Sequence, residues 1–259
     1  MIRYMLLGLV QGLTEFLPVS SSGHLVIAER LLGLDPPGVL LEAMLHWGTL
    51  AAILIVFRHD ILALLKSLKG KGRVEQRKEV GFLIVGTVPV VAVGLMLRET
   101  IQGAFSSLIG VGIGLLITSG LLALGHLALR RAQRPSIRVS DALAIGLAQA
   151  GSVFPGVSRS GATIAVGTML GLNGSQAARF SFLLAIPALL GAGLLHLIDA
   201  FSAPVSQDWL GIILGTLCAF ASGWVALRIV LALVLKRRFW IFAIYCIIAG
   251  TSVIIWSRL

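Results

Sequence analysis

Gln11-Gly-Leu-Thr-Glu-Phe-Leu-Pro-Val-Ser-Ser-Ser-Gly-His24 returns 138 positions later as Gln149-Ala-Gly-Ser-Val-Phe-Pro-Gly-Val-Ser-Arg-Ser-Gly-Ala162. Gln11 and Gln149, Phe16 and Phe154, Val19 and Val157, Ser20 and Ser158, Ser22 and Ser160, and Gly23 and Gly161 match without a gap. The first copy carries Glu15 and His24, where the second has Val153 and Ala162; the second carries Arg159, where the first has Ser21. One loop therefore offers a carboxylate and an imidazole, the other a guanidinium, as the two parts of an active site would. Both copies set proline, glycine and serine inside an apolar run. Backbone that leaves helical geometry at membrane depth must be buried in protein or line a watery cavity. The flanks, about 12–16 residues each, are too short to span a bilayer. Two re-entrant helix–loop–helix hairpins are expected, over about 2–30 and 142–172.

The surrounding chain is membrane-like. It is 57% hydrophobic and 12% charged over 259 residues, against about 25% charged in a soluble domain. Apolar stretches of spanning length cover 40–57, 80–97, 104–129, 180–198, 209–227 and 239–257. The expected fold is an all-α integral membrane protein with six transmembrane helices plus the two hairpins. Hairpins do not change sides and three spans do, so the repeats 1–141 and 142–259 should be inverted relative to each other. Charge gives an independent check. Fourteen of the 21 Lys and Arg fall in 58–78, 130–138 and 236–238, and all three segments land on one side of this topology, which the positive-inside rule makes cytoplasmic. The opposite segment, 199–208, has Asp199 and Asp208 and no Lys or Arg. The net charge of +10 is thus a topology signal, and no nucleic-acid partner is expected. The first hairpin then opens outward, the second inward, and their tips meet near the midplane. Gln11, Glu15 and Pro18 interrupt the N-terminal apolar run, so no signal-peptide core is expected.

Glu15 is the one acidic residue deep in an apolar segment, and an intramembrane carboxylate is a functional candidate by default. Gln11 lies one turn earlier on the same helix face. His24 follows the hydroxyl-rich break and suits a nucleophile, general acid or general base. Arg159 is a bidentate match for phosphate oxygens, with Ser158, Ser160 and Thr163 as flanking donors and a following half-helix whose N-terminus favours an anion. His46, His126 and His196 default to structural roles, and His59 lies in a basic segment. Cys218 and Cys246 show no pairing or metal-ligand spacing. Gly110-Val-Gly-Ile-Gly114 reads as close helix packing, and Trp47, Trp209, Trp240 and Trp256 as interfacial anchors.

The first motif, together with Pro155-Gly-Val-Ser-Arg-Ser-Gly-Ala-Thr163, resembles the two signatures of the undecaprenyl-diphosphatase, or bacitracin-resistance, family. The resemblance runs the whole chain in length and segment order. It implies a membrane enzyme that removes the terminal phosphate of undecaprenyl diphosphate, regenerating the lipid carrier for peptidoglycan synthesis, in the bacterial plasma membrane with its site open to the outer side. It also implies a divalent cation, Mg2+ or Ca2+, with Glu15 as metal ligand. The family's acidic motif falls on Gln11 and Glu15, its serine and histidine on Ser20, Ser21 and His24, and its phosphate-binding segment on Ser158, Arg159 and Thr163. Many relatives have Glu at the Gln11 position, and an amide oxygen is a poorer metal ligand, which shifts weight to Glu15. Attack by His24, by Ser21 with His24 as base, or by water all remain open. The expected partners are a polyprenyl diphosphate and the surrounding membrane lipids, with a homodimer left open. A polyprenyl-phosphate transporter on the same inverted-repeat scaffold is the alternative.

Overall fold

A computed structural model of the protein describes residues 1–34, 39–201 and 208–258. It is all-α. The first hairpin is α1 (Ile2–Phe16) and α2 (Ser21–Leu32). Then come α3 (Val39–Val56), α4 (Arg58–Leu68), α5 (Val74–Met96), α6 (Arg98–Ala104) and α7 (Leu108–Leu129). The second hairpin is α8 (Val139–Gly151) and α9 (Arg159–Met169), followed by α10 (Gly174–Phe201), α11 (Trp209–Leu235) and α12 (Trp240–Trp256).

The hairpin breaks have local causes. Leu17 precedes Pro18 and takes extended backbone, φ −63° and ψ 140°, because a proline pushes its predecessor out of the helical region. Ser20 then caps α2, its hydroxyl accepting the Gly23 N–H at 3.3 Å. Ser158, its counterpart in the repeat, caps α9 by accepting the Gly161 N–H at 3.1 Å. The matched serines of the two copies are thus both N-caps, each satisfying an otherwise unpaired helix-start amide. The half-helices start at Ser21 and Arg159, so Ser21, Ser22 and Gly23 are helical rather than part of the break.

Among the described residues four helices, α5, α7, α10 and α11, are long and apolar enough to cross a membrane. The expected span 40–57 is α3, which passes that test only together with α4, across a 77° bend. The expected span 239–257 is the shorter apolar α12, 17 residues long, or about 26 Å at 1.5 Å per residue. The segment 58–78 is not a simple loop, since it opens with α4, and 98–103 lies within α6. The helices over 180–198 and 209–227 extend to Gly174–Phe201 and Trp209–Leu235. Of the expected outward segment 199–208, residues 202–207 lie outside the described residues.

The halves exchange packing partners. α1 packs on α11 of the other half, and α8 packs on α5. Both contacts run through glycine: a Cβ on Gly8 would lie 2.1 Å from the Gly215 carbonyl oxygen, and one on Gly146 2.4 Å from that of Gly86. Gly146 follows Gly8 by the same 138 residues as the motif. Where lipid cannot drive helices together, small residues do so by letting backbones approach. At Gly12 a Cβ would stand 2.0 Å from Ser222 Oγ and 2.3 Å from the Ala219 carbonyl oxygen. Gly12→Val is therefore expected to part α1 from α11 and to lower the Tm in detergent sharply; an unchanged Tm would contradict this packing. Gly112 meets Gly250 between α7 and α12 in the same way, and Gly114 meets Gly156, as the Gly110–Gly114 run suggests.

An ion cluster ties α4, α5 and α10 together. Arg179 Nε donates to Asp60 Oδ1 at 2.6 Å, and its two terminal nitrogens pair with Glu79. Arg179→Met would leave two carboxylates facing each other unpaired. Losing one partner of a buried cluster costs about 3–5 kcal/mol, and partial exposure reduces this to about 1–3 kcal/mol. Thermal unfolding should show the drop, and none would mean that the cluster carries no stability.

Trp209, Trp240 and Trp256 sit exposed at helix ends. Trp47 differs from the expected interfacial anchor: it lies within α3, its buried Nε1 has no partner, and its ring packs near Gly193 of α10. Both cysteines are free.

Candidate active site between the hairpin tips

The two tips touch. A Cβ on Gly23 would lie 3.1 Å from Gly156 Cα, and one on Gly161 3.3 Å from Pro18 Cβ. Ser160 Oγ donates to the Leu17 carbonyl oxygen at 3.3 Å, crossing from one hairpin to the other. Beneath them α7 supplies Thr118, whose Oγ1 lies 2.9 Å from the Gly156 carbonyl oxygen and accepts the Ser158 N–H at 2.9 Å. This one hydroxyl holds both sides of the turn that presents Arg159.

Glu15 is the centre. Its Oε1 accepts from Arg159 Nη2 at 2.6 Å; its Oε2 accepts from Ser21 Oγ at 2.6 Å and from Gln11 Nε2 at 3.0 Å. Four of the residues singled out in the sequence thus converge, and the Glu15–Arg159 pair joins the hairpins across 144 positions of chain. Glu15 is 7% exposed. Two atoms at this centre are buried with no partner, Arg159 Nη1 and Gln11 Oε1. Buried polar atoms are almost always hydrogen-bonded, so this guanidinium nitrogen and this amide oxygen are the two groups at the centre left with capacity for a further partner.

The remaining candidates surround this centre. Ser20 and Ser22 lie 3.2 Å apart through their hydroxyls, and Ser158 and Ser160 3.3 Å apart. The Thr163 hydroxyl is engaged on the α9 backbone at the Arg159 carbonyl, 2.7 Å, and with Ser181 of α10, 2.5 Å. His24 Nδ1 lies 2.7 Å from the Ser20 carbonyl oxygen and Nε2 lies 2.6 Å from Tyr245 Oη. None of its described hydrogen bonds joins it to Glu15, Ser21 or Arg159. The Ser21 hydroxyl is hydrogen-bonded to Glu15, not to His24.

Sequence reasoning passed over four residues here. His46, taken as structural, stands within electrostatic reach of Glu15, with its ring 5.8 Å from that of His196. Thr118 and Tyr245 were visible only as isolated hydroxyls in apolar spans. Gln149, the repeat mate of Gln11, is buried with both amide atoms unpartnered. Among the described residues no group of three or more His, Cys, Asp or Glu is arranged to hold a metal ion.

Comparison with known proteins covers nearly the whole chain. The family model described as bacitracin resistance protein BacA matches residues 4–252. A protein of Syntrophotalea carbinolica named undecaprenyl-diphosphatase is 44% identical over 250 residues, covering 95% of this chain and 94% of that one. Proteins of the same name from Desulfosudis oleivorans and Korarchaeum cryptofilum are 43% and 40% identical, covering 98% and 96% of this chain and 97% of each relative. With the duplicated motif, the crossed hairpins and a match of this extent, the chain belongs to the bacitracin resistance protein BacA family.

Proposed function

We propose that this multi-pass membrane protein hydrolyses undecaprenyl diphosphate to undecaprenyl phosphate and phosphate, regenerating the lipid carrier for peptidoglycan synthesis and so conferring bacitracin resistance. The observation that carries this is the Ser21–Glu15–Arg159 constellation, with an unpaired guanidinium nitrogen, in a chain of this family. Arg159 binds the terminal phosphate through Nη1 and steadies charge on its oxygens, and the start of α9 adds backbone amides. Ser21 Oγ attacks the terminal phosphorus while its proton passes to Glu15 Oε2. The bond from phosphorus to the bridging oxygen breaks, and undecaprenyl phosphate leaves. Water then displaces Oγ from phosphorus, Glu15 returns its proton to Oγ, and the phosphate leaves as dihydrogen phosphate. Nucleophile and base at 2.6 Å support this order. His24, one turn beyond Ser21 on α2, serves the transfer from beside it.

The donor set fits a divalent ion carried in with its substrate rather than caged by protein. One carboxylate and an amide oxygen, Glu15 and the unpaired Gln11 Oε1, suit a hard cation that takes its other ligands from phosphate and water. Bound there, the ion would neutralise diphosphate charge. Excess chelator should abolish turnover and Mg2+ or Ca2+ restore it; full turnover in chelator would remove the ion from the account.

An apolar trough of about 570 Å³ opens between α7, α8 and α9, lined by Ile113, Ile117, Ala148, Val157 and Val166. It suits a polyprenyl chain beside Ser158 and Arg159. The halves as inverted repeats, 1–141 and 142–259, are supported by the exchanged packing of α1 on α11 and α8 on α5. The basic segments on one side support a site facing outward from a bacterial plasma membrane. The same exchange of halves favours a second reading, lipid transport. Detergent-solubilised protein tests the phosphatase directly: phosphate release should leave an acid-stable phosphoserine at Ser21 when quenched, whereas lipid movement in sealed vesicles without hydrolysis would favour transport.

A further inference from the structure

We infer that Tyr245 is a positioning residue for His24, holding its ring by a phenol–imidazole hydrogen bond that leaves Nε2 as the acceptor. The inference rests on the reading above in which His24 serves phosphoryl transfer. Both ring nitrogens are engaged: Nδ1 with the Ser20 carbonyl oxygen at 2.7 Å, Nε2 with Tyr245 Oη at 2.6 Å. A carbonyl oxygen can only accept, so Nδ1 carries a proton; in the neutral ring Nε2 is then a lone pair and the phenol must donate. Two contacts thus select one tautomer and fix the ring plane, as second partners do for functional histidines.

The backbone shows the same specialisation. Ser20 has φ 71°, a left-handed conformation that is uncommon and strained for a serine. Its repeat mate Ser158 has an ordinary φ of −74°. Strain therefore sits in the copy that has a histidine, at the residue whose carbonyl holds it, and not in the copy that has Ala162. α12 is anchored to the same tip next door, where Cys246 Sγ lies 3.7 Å from the Pro18 carbonyl oxygen. Tyr245 is 46% exposed, so its phenol has room to withdraw and leave the Nε2 lone pair to another proton donor, such as an attacking water. The plainer role, an aromatic side chain facing lipid, needs neither the hydroxyl nor the strained serine.

The test is 15N NMR of histidine-labelled full-length protein in detergent, with His24 assigned by its loss in His24→Gln. Wild type should show Nδ1 protonated and Nε2 as a hydrogen-bonded acceptor. Tyr245→Phe keeps the ring and should move the Nε2 resonance to that of a free acceptor. In the same variant kcat for phosphate release should fall about tenfold, the worth of one neutral hydrogen bond, with KM little changed. An Nε2–H tautomer in wild type would overturn the inference without any variant. So would Tyr245→Phe with an unmoved Nε2 resonance, whatever its activity, or a moved resonance with unchanged kcat. A wild-type protein that releases no phosphate would sink the phosphatase reading instead, while the resonance shift would still establish the Tyr245–His24 contact.

Discussion

Arg159→Lys is expected to fold normally and to lose about a thousandfold or more in kcat/KM for phosphate release, the loss associated with removing a transition-state guanidinium. Lysine keeps the positive charge opposite Glu15, so the buried carboxylate is not left alone. What it cannot keep is the fork. Arg159 spends Nη2 on Glu15 at 2.6 Å and holds Nη1 in reserve, buried and unpaired. A single ammonium has one charged centre to divide between carboxylate and phosphate. If Arg159→Lys turned over at near wild-type rates, charge alone would suffice at this position, and the reserved nitrogen would have no role. Circular dichroism and a Tm close to wild type exclude misfolding as the cause.

Gly156→Ala should be severely damaging for a single added methyl group. Gly156 has φ +90°, which an alanine adopts only under strain, and the added Cβ would stand 2.2 Å from the Val111 carbonyl oxygen and 2.9 Å from Gly114 Cα. Those are backbone atoms of α7 and cannot rotate away. Strain and overpacking at about 1–3 kcal/mol each give a loss of about 2–6 kcal/mol. The damage would also spread to Ser158, because Thr118 holds the Gly156 carbonyl and the Ser158 N–H together. A lower Tm with lost activity is expected. A variant of wild-type stability would mean that the second tip does not lie against α7 as described.

Much of this architecture could be read from the repeat alone. Motif breaks place both hairpins, because proline and N-cap serine act locally. The differences between the copies single out Glu15, Ser21 and Arg159, with Gln11 one turn before Glu15, and the structure brings these residues into contact. What the sequence did not reveal is decided by packing between distant segments. Thr118 and Tyr245 each look like a stray polar residue in an apolar helix, and only the way α7 and α12 pack brings them to the tips. Helix ends blurred for a different reason: the amphipathic α4 continues from α3 across a bend, and in charge content it reads as a loop. The repeat puts Glu15 and His24 on one loop, opposite Arg159, and says nothing of what the imidazole contacts. The left-handed turn at Ser20 brings its own carbonyl to the imidazole, and the ring's other nitrogen meets Tyr245.

Glu15 and Arg159, from opposite hairpins, form one charged unit, which the proposed reaction puts at its centre. Tm and phosphate release of Glu15→Gln, Arg159→Met and the double variant show whether the two act as one. Each single change strands one buried charge and should lower the Tm, by an amount equivalent to about 3–5 kcal/mol for a fully buried pair. The double variant should recover much of that stability, because no charge is left unpaired, while remaining as inactive as the worse single. Additive losses of stability, or recovered turnover in the double variant, would contradict the account.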